Sequence, residues 1–306
     1  MHGCERQYVP MTETERRLVI ILADISGYTR YMAENQLSAV HGQQLITALL
    51  ESIVREIDIP LVLQEIEGDA VFLYAAHPGS EAGWQDVLSE VRLKLERFFT
   101  VFLAELVRRA EATLCECVVC KHLDSLKLKI VVHSGVAVFH EIAGRPQVSG
   151  VDVIAAHRLL KNSVPSDEYL LMSEPAYELL GSGMAGTFDG GQETYESLHP
   201  VATYVRLMGE NREKAREMYY ALSEAEMNAN ARRCSRWAIA AAVPELWRHV
   251  RRPSSDVSLT ARLWFAFTFL LAAPATYAKM LRGVPRHVRA KRARYRSESG
   301  VQRTIA

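Results

Sequence analysis

The chain has 306 residues, 49% hydrophobic and 24% charged, which gives an ordinary globular composition long enough for one large domain and a tail. Five cysteines, three of them crowded at Cys115, Cys117 and Cys120, exclude a disulfide framework, and the polar residues 1–17 exclude a secretory signal peptide, so a reducing cytoplasm is the expected location. The net charge of zero hides a division: residues 1–206 carry an acidic excess of 11 and residues 207–306 the matching basic excess, so the tail calls for an anionic partner or for the acidic body itself.

Residues 1–17 form a polar arm. Leu18–Asp24 is a continuous apolar run, the pattern of a central strand covered on both faces. Leu37, Val40, Leu45, Leu49, Ile53, Val54 and Ile57 recur at helical spacing, and Pro60 stops that helix. Leu61–Ile66 and Val71–Ala75 are two short strands around Glu67-Gly68-Asp69, a hairpin. Trp84 to about Ala110 is a long amphipathic helix. Leu126–Val138 is a strand, interrupted at His133-Ser134-Gly135. A helix over Val151–Asn162 ends at Val164-Pro165. Tyr169–Met172 is a strand, Pro175–Leu180 a helical turn, and Glu193–Leu207 contains strands. The order β-α-β-β-α-β-α-β predicts an α+β fold, a ferredoxin-like antiparallel sheet with helices, over residues 18–207. Residues 208–252 are a charged helical segment. Pro253-Ser254-Ser255-Asp256 is a linker candidate opening residues 253–306, an apolar helix and polybasic tail.

Two carboxylates stand out. Asp24 follows the first apolar run in Leu18-Val19-Ile20-Ile21-Leu22-Ala23-Asp24-Ile25-Ser26-Gly27-Tyr28-Thr29, and Asp69 sits in the hairpin Glu65-Ile66-Glu67-Gly68-Asp69-Ala70-Val71-Phe72. An Asp at a strand tip beside a Gly turn presents its carboxylate outward, and two of them can hold Mg²⁺ against a triphosphate. The plainer reading is two ordinary strand ends with Gly turns.

The pair resembles the metal-binding core of class III adenylyl/guanylyl cyclases. Ser149-Gly150-Val151-Asp152-Val153-Ile154-Ala155-Ala156-His157-Arg158-Leu159 is similar to a third element of that family, and His133-Ser134-Gly135 to a fourth. The likeness covers roughly residues 16–207. It implies that Asp24 and Asp69, with the Ile25 carbonyl, hold Mg²⁺ or Mn²⁺. It also implies that the amides of Ser26, Gly27, Tyr28 and Thr29 receive phosphates, that Glu65 and Gln147 read a purine, and that Arg158 stabilises the transition state. The implied ligand is a purine nucleoside triphosphate, bound in a homodimer or in a heterodimer with another cyclase-like chain. The departures are specific. The ribose-orienting Asn falls on Ile154, with Asp152 and Asn162 as substitutes. Glu65 stands where adenylyl cyclases usually carry Lys. Glu196-Ser197-Leu198-His199-Pro200 lacks the late phosphate-binding Lys. The alternative is therefore a non-catalytic regulatory protein on the same fold.

Cys115-x-Cys117-x-x-Cys120-x-His122 places four soft ligands within eight residues. They suit one Zn²⁺, with His122 fourth, or an iron–sulfur cluster completed by Cys4, Cys234 or a non-Cys ligand. The insert at 115–122 lies outside the usual cyclase pattern and resembles that of divergent bacterial cyclase-like proteins with a Cys cluster. A redox-prone loop and a metal or redox sensor are the competing readings.

Leu263–Ala278 is uncharged over 16 residues between Arg262 and Lys279. As a helix it reaches about 24 Å, short of the roughly 30 Å of a bilayer core. Residues 279–296 then carry eight Lys/Arg and no acid. The leading expectation is a helix lying on the anionic inner face of the membrane through Trp264, Phe265, Phe267 and Phe269. Docking on the body and a true span are the alternatives. Nucleic acid is disfavoured because no recognised motif accompanies the charge.

Overall fold

The computed structural model describes residues 14–34, 39–115, 117–196, 198–209, 211–235 and 258–299. The 253–256 linker, Cys4 and the first 13 residues of the arm lie outside them. The chain divides into two compact units: residues 1–26, 54–98 and 128–209, and residues 27–53, 99–127 and 210–306.

The first unit is built on a mostly antiparallel sheet with helices, an α+β architecture. Its strands are β1 (Thr14–Ser26), β2 (Val62–Glu67), β3 (Ala70–Ala76), β4 (Lys127–Ile142), β5 (Arg145–Ser149), β6 (Tyr169–Ser173), β7 (Asp189–Glu193) and β8 (Val201–Leu207). They lie in the order β2-β3-β1-β4-β6-β8-β7, with β5 paired to β4. Pairing is antiparallel for β1/β3, β2/β3, β4/β5, β6/β8 and β7/β8, and parallel for β4/β6. Residues 18–23 of β1 are buried at every position, as the unbroken apolar run requires of a strand between two covered faces. Leu18, Ile20 and Leu22 pack with Phe72, Val131, Leu171 and the buried side of helix α5 (Val151–Leu159), namely Val153, Ala156 and Leu159.

Strand β4 runs unbroken through His133-Ser134-Gly135, where an interruption was expected. The polar residues fit inside the sheet because they are bonded there. Ser134 Oγ donates to the Leu18 carbonyl at 3.1 Å, and His133 Nδ1 lies 2.7 Å from Ser173 Oγ. Strand β2 slips by one residue against β3 between Leu63 and Glu65, a bulge at the edge of the sheet.

The second unit is helical. It holds α1 (Tyr28–Glu34), α2 (Ala39–Val54) up to Ile53, the end of α3 (Glu81–Ala112), α4 (Val118–Lys121), a 3₁₀ turn (Leu123–Ser125), α7 (Asn211–Ala221), α8 (224–235) and α9 (Leu259–Glu298); α6 (Glu174–Leu180) belongs to the sheet unit. Helix α9 is capped by Ser258, whose Oγ accepts from Ala261 N, and continues through Pro274 and Pro285. Its C-terminal half docks on its own unit: Val284 and Val288 are buried with Val107, Ala112, Tyr219, Tyr220 and Met227. Glu111 ties the same region together, with Lys291 Nζ and Arg216 Nε each at 3.3 Å and Tyr220 Oη donating at 2.6 Å. The N-terminal half differs, because Leu263, Trp264, Phe267 and Leu271 are exposed. No helix among the described residues is long and apolar enough to cross a membrane.

Candidate functional site

Pairing of β1 with β3 sets Asp24 opposite Ala70, and the Ile25 amide donates to the Asp69 carbonyl at 3.2 Å. The register thus brings the end of β1 to the tip of the β2–β3 hairpin, where Gly68 turns with a φ of 64°. Both carboxylates are half-buried. Burial, then the charge of Asp24, pushes the Asp69 carboxyl up to about 6. Two hard oxygen donors held side by side suit Mg²⁺ or Mn²⁺. Sequence reading missed Lys129, whose Nζ lies 2.8 Å from Asp24 Oδ2 and also donates to the Leu160 carbonyl at 3.3 Å. Burial pulls the Lys129 ammonium down, but the hydrogen bond and charge of Asp24 leave it above the usual lysine value. A strand pattern alone cannot distinguish this Lys from any other polar residue in β4.

The remaining residues fall as follows. Ile25 and Ser26 are buried at the end of β1. Gly27, with a φ of 88°, begins the second unit, and its missing Cβ would stand 2.9 Å from the Ser125 carbonyl oxygen. Tyr28 Oη donates to Gln43 Oε1 at 3.3 Å, Thr29 is exposed, and α1 has only seven residues. Glu65 is exposed on β2, and Gln147 is half-buried on β5 opposite His140. Arg158 is exposed on α5, one turn beyond Ile154, which is 52% exposed.

Asp152 and Asn162, the expected substitutes for the ribose-orienting Asn, are both hydrogen-bonded within the fold. Asp152 Oδ2 accepts from the Val136 amide at 2.7 Å and its Oδ1 lies 3.3 Å from His133 Nε2. Asn162 Nδ2 donates to the Leu159 carbonyl and to Tyr169 Oη, each at 2.7 Å, while its Oδ1 accepts from the Val164 amide. Ser173, His133 and Asp152 have the order of a hydrolytic triad, but Ser173 is 0% exposed, so no substrate reaches its hydroxyl. They form an internal polar network. Burial lowers the His133 pKa, against the opposing pull of Asp152.

A second constellation lies in the helical unit. His41, Cys115, Cys117 and Cys120 have ligand atoms all within 4.8 Å of one another, a group that could hold a metal ion. His122, expected as the fourth member, is not in it. Its amide donates to the Val118 carbonyl and its own carbonyl accepts from Ser125 N and Oγ, which fixes it at the end of α4. A hydrogen bond from Cys120 holds the Cys115 thiol down at about 5, and the same bond pushes Cys120 up. Burial raises Cys117. The fourth residue escaped sequence reading because His41 lies far upstream, on a different helix.

A sequence relative is the uncharacterized protein Rv2561/Rv2562 of Mycobacterium tuberculosis (strain ATCC 25618 / H37Rv), 33% identical over 156 residues, or 51% of this chain and 70% of that protein. The chain belongs to the family of that mycobacterial protein. A family described as a protein of unknown function (DUF2652) matches residues 46–169. Those residues include Asp69, the three cysteines, Lys129, His133, Asp152 and Arg158, and begin after Asp24 and His41. Among solved structures, the guanylyl cyclase Cya2 is 16% identical with a TM-score of 0.47, covering 64% of this chain and 93% of its own. The adenylyl cyclase CyaB from P. aeruginosa is 15% identical with a TM-score of 0.45, covering 64% and 95%.

Proposed function

We propose that this chain is a divergent class III cyclase-like protein that binds a purine nucleoside triphosphate through a divalent cation held by Asp24 and Asp69. The observation that carries the reading is the dicarboxylate itself. Two acids from separate strand ends share one half-buried place, and an ammonium already sits against one of them. A chain with no use for a cation there gains nothing from the repulsion. When bound, Mg²⁺ or Mn²⁺ would neutralise phosphate charge. Glu65 and Gln147 are assigned to the base and Arg158 to the triphosphate of a partner chain. Val62, Leu63 and Ile66 on edge strand β2, with Val151 and Ile154 on α5, expose apolar surface that favours a second cyclase-like copy.

A non-catalytic form of the same reading is favoured by two observations. Lys129 competes with a cation for Asp24, and Asp152 and Asn162 are both committed elsewhere, leaving apolar Ile154 at the ribose position. The deciding experiment is incubation with Mn²⁺ and either ATP or GTP, with cyclic nucleotide read by mass spectrometry. In cyclisation the 3′-hydroxyl oxygen bonds to the α-phosphorus, pyrophosphate leaves and the hydroxyl proton is released. Product from one nucleotide establishes a cyclase and names its base. Mn²⁺-dependent binding without product establishes a nucleotide sensor. Absence of both product and binding rejects the proposal.

We place the chain in the cytoplasm, with the exposed N-terminal half of α9 against an anionic membrane face. Trp264, 70% exposed, with Phe267 and Leu271 supplies apolar contact, and Lys279, Arg282 and Arg286 supply charge. The full chain is expected to float with vesicles containing phosphatidylserine and to stay behind with neutral ones. Trp264→Ala combined with Phe267→Ala abolishes flotation. Equal behaviour on both vesicles removes this placement.

A further inference from the structure

His41 comes from α2, Cys115 from the connection after α3, Cys117 from the N-cap of α4 and Cys120 from within α4. Cys117 Sγ lies 3.5 Å from His41 Nδ1, and Cys120 Sγ lies 3.8 Å from His41 Nε2. We propose that these four residues bind one Zn²⁺ ion in a closed Cys₃His site that clamps α2 to α4.

The donor set comes first. Three thiols and an imidazole are soft-to-borderline ligands, a combination Zn²⁺ takes in tetrahedral structural sites. Spacing comes next. With Zn–S of about 2.3 Å and Zn–N of about 2.0–2.1 Å, neighbouring ligands of a tetrahedron stand roughly 3.5–3.8 Å apart. His41 gives the ion only one ring nitrogen, so only one of the two thiol–imidazole separations is a ligand–ligand distance; Cys117 Sγ to Nδ1, at 3.5 Å, matches. An iron–sulfur cluster spreads its cysteines over two or more irons, so its ligands stand farther apart than a group confined within 4.8 Å. Cys234, the other cysteine among the described residues, is outside the group, and its Sγ accepts from Arg108 Nη1 at 3.6 Å.

Four protein ligands also fill the tetrahedron and leave no position for substrate or water, so the ion is structural. His41 and Cys120 are buried, and Cys115 and Cys117 half-buried. Three thiolates around Zn²⁺ leave one negative charge. Arg109 lines the same cavity of about 10 Å³ as His41 and Cys120, with its Nε paired to Glu105 Oε1 at 2.6 Å. Thr113 supplies an outer layer, donating to Cys120 Sγ at 3.8 Å and accepting from the Cys115 amide at 3.1 Å.

The surroundings say what the ion does. Helix α4 has four residues, too few to persist by its own hydrogen bonds. It is tied to α1 where Tyr31 Oη donates to the Val119 carbonyl at 3.1 Å, and Gly27 meets the Ser125 carbonyl just beyond it. An ion joining His41 to the cysteines fixes residues 27–53 to residues 113–125 at a third point.

The test uses the full chain purified under reducing conditions, with metal measured by plasma mass spectrometry. About one zinc per chain is expected. His41→Ala and Cys120→Ser lose it and melt at lower temperature. His122→Ala keeps it, and His41→Cys, which restores a fourth ligand, regains both zinc and melting temperature. Cobalt substitution gives an independent readout: thiolate-to-metal charge transfer and the intense visible bands of tetrahedral Co²⁺. The proposal is overturned by zinc retained in His41→Ala and lost in His122→Ala, by iron with acid-labile sulfide, or by a protein that takes up no zinc when supplied with it.

Discussion

Asp69→Asn is expected to raise the melting temperature of the metal-free protein by a few degrees while abolishing Mn²⁺-dependent binding of a nucleoside triphosphate. The two effects have one cause. Asp69 is half-buried beside Asp24, so at neutral pH two like charges share a place poorly screened by water. Lys129, at 2.8 Å from Asp24 Oδ2, neutralises one of them and leaves the other. Burial and Asp24 push Asp69 up to about 6. A carboxyl whose folded value is raised supports the fold below its unfolded value, and that support is lost as pH rises through about 6. Asn keeps the shape and removes the charge, so this destabilisation disappears at pH 7. The same change removes one of two oxygen ligands. Loss of groups that merely orient ligands weakens metal binding about 10–100-fold, and a ligand itself matters at least as much. Asp24→Ala is expected to give the same loss of binding without the gain in stability, because it also strands the Lys129 ammonium. Calorimetric titration with Mn²⁺ and nucleotide, beside thermal melts, reads both quantities. Binding unchanged in both variants would show that the carboxylates are strand ends and nothing more.

How much of this was legible in the sequence depends on what each residue's neighbours could reveal. The run from Leu18 to Ala23 announces a doubly covered strand because every position is apolar, and residues 18–23 are indeed all buried. The β2–β3 hairpin was readable from Gly68 between two apolar segments, and α3 from its spacing. Strands β5 (Arg-Pro-Gln-Val-Ser) and β7 (Asp-Gly-Gly-Gln-Glu) carry no alternation, because each pairs with a single neighbour and buries little. Asp24 and Asp69 stand out in the sequence by their Gly turns, and the strand register brings them together. Lys129 and His41 do not stand out, since pairing across a sheet and between helices leaves no trace in local spacing. His122 is near the cysteines in sequence, whereas His41 is the histidine grouped with them in space.

Gly135→Ala is expected to destabilise the first unit by about 3 kcal/mol, because the glycine makes room for a carboxylate. A Cβ at position 135 would stand 2.1 Å from Asp152 Oδ2, 2.2 Å from its Cγ and 2.7 Å from its Cβ. The last distance matters most. A clash with the carboxylate oxygen alone could be relieved by rotating the side chain, whereas a clash with Cβ moves the start of α5 itself. Asp152 would then lose its 2.7 Å bond from the Val136 amide and its contact with His133 Nε2. Losing a hydrogen bond to a charged group costs about 1.5–3 kcal/mol, and overpacking adds about 1–3 kcal/mol. Asp152→Asn, which fits the space and can still accept from the amide, is expected to cost less. The network also sets an acid limit. Burial holds His133 below the usual histidine value, so its contribution is present above about 6.5 and is lost as pH falls through the lowered folded value. Denaturant melts of the two variants at pH 8 and at pH 5 test all of this. If Gly135→Ala proves no less stable than Asp152→Asn at pH 8, the glycine is not there to admit the carboxylate. If the difference between pH 8 and pH 5 survives His133→Gln undiminished, the acid sensitivity belongs to other groups.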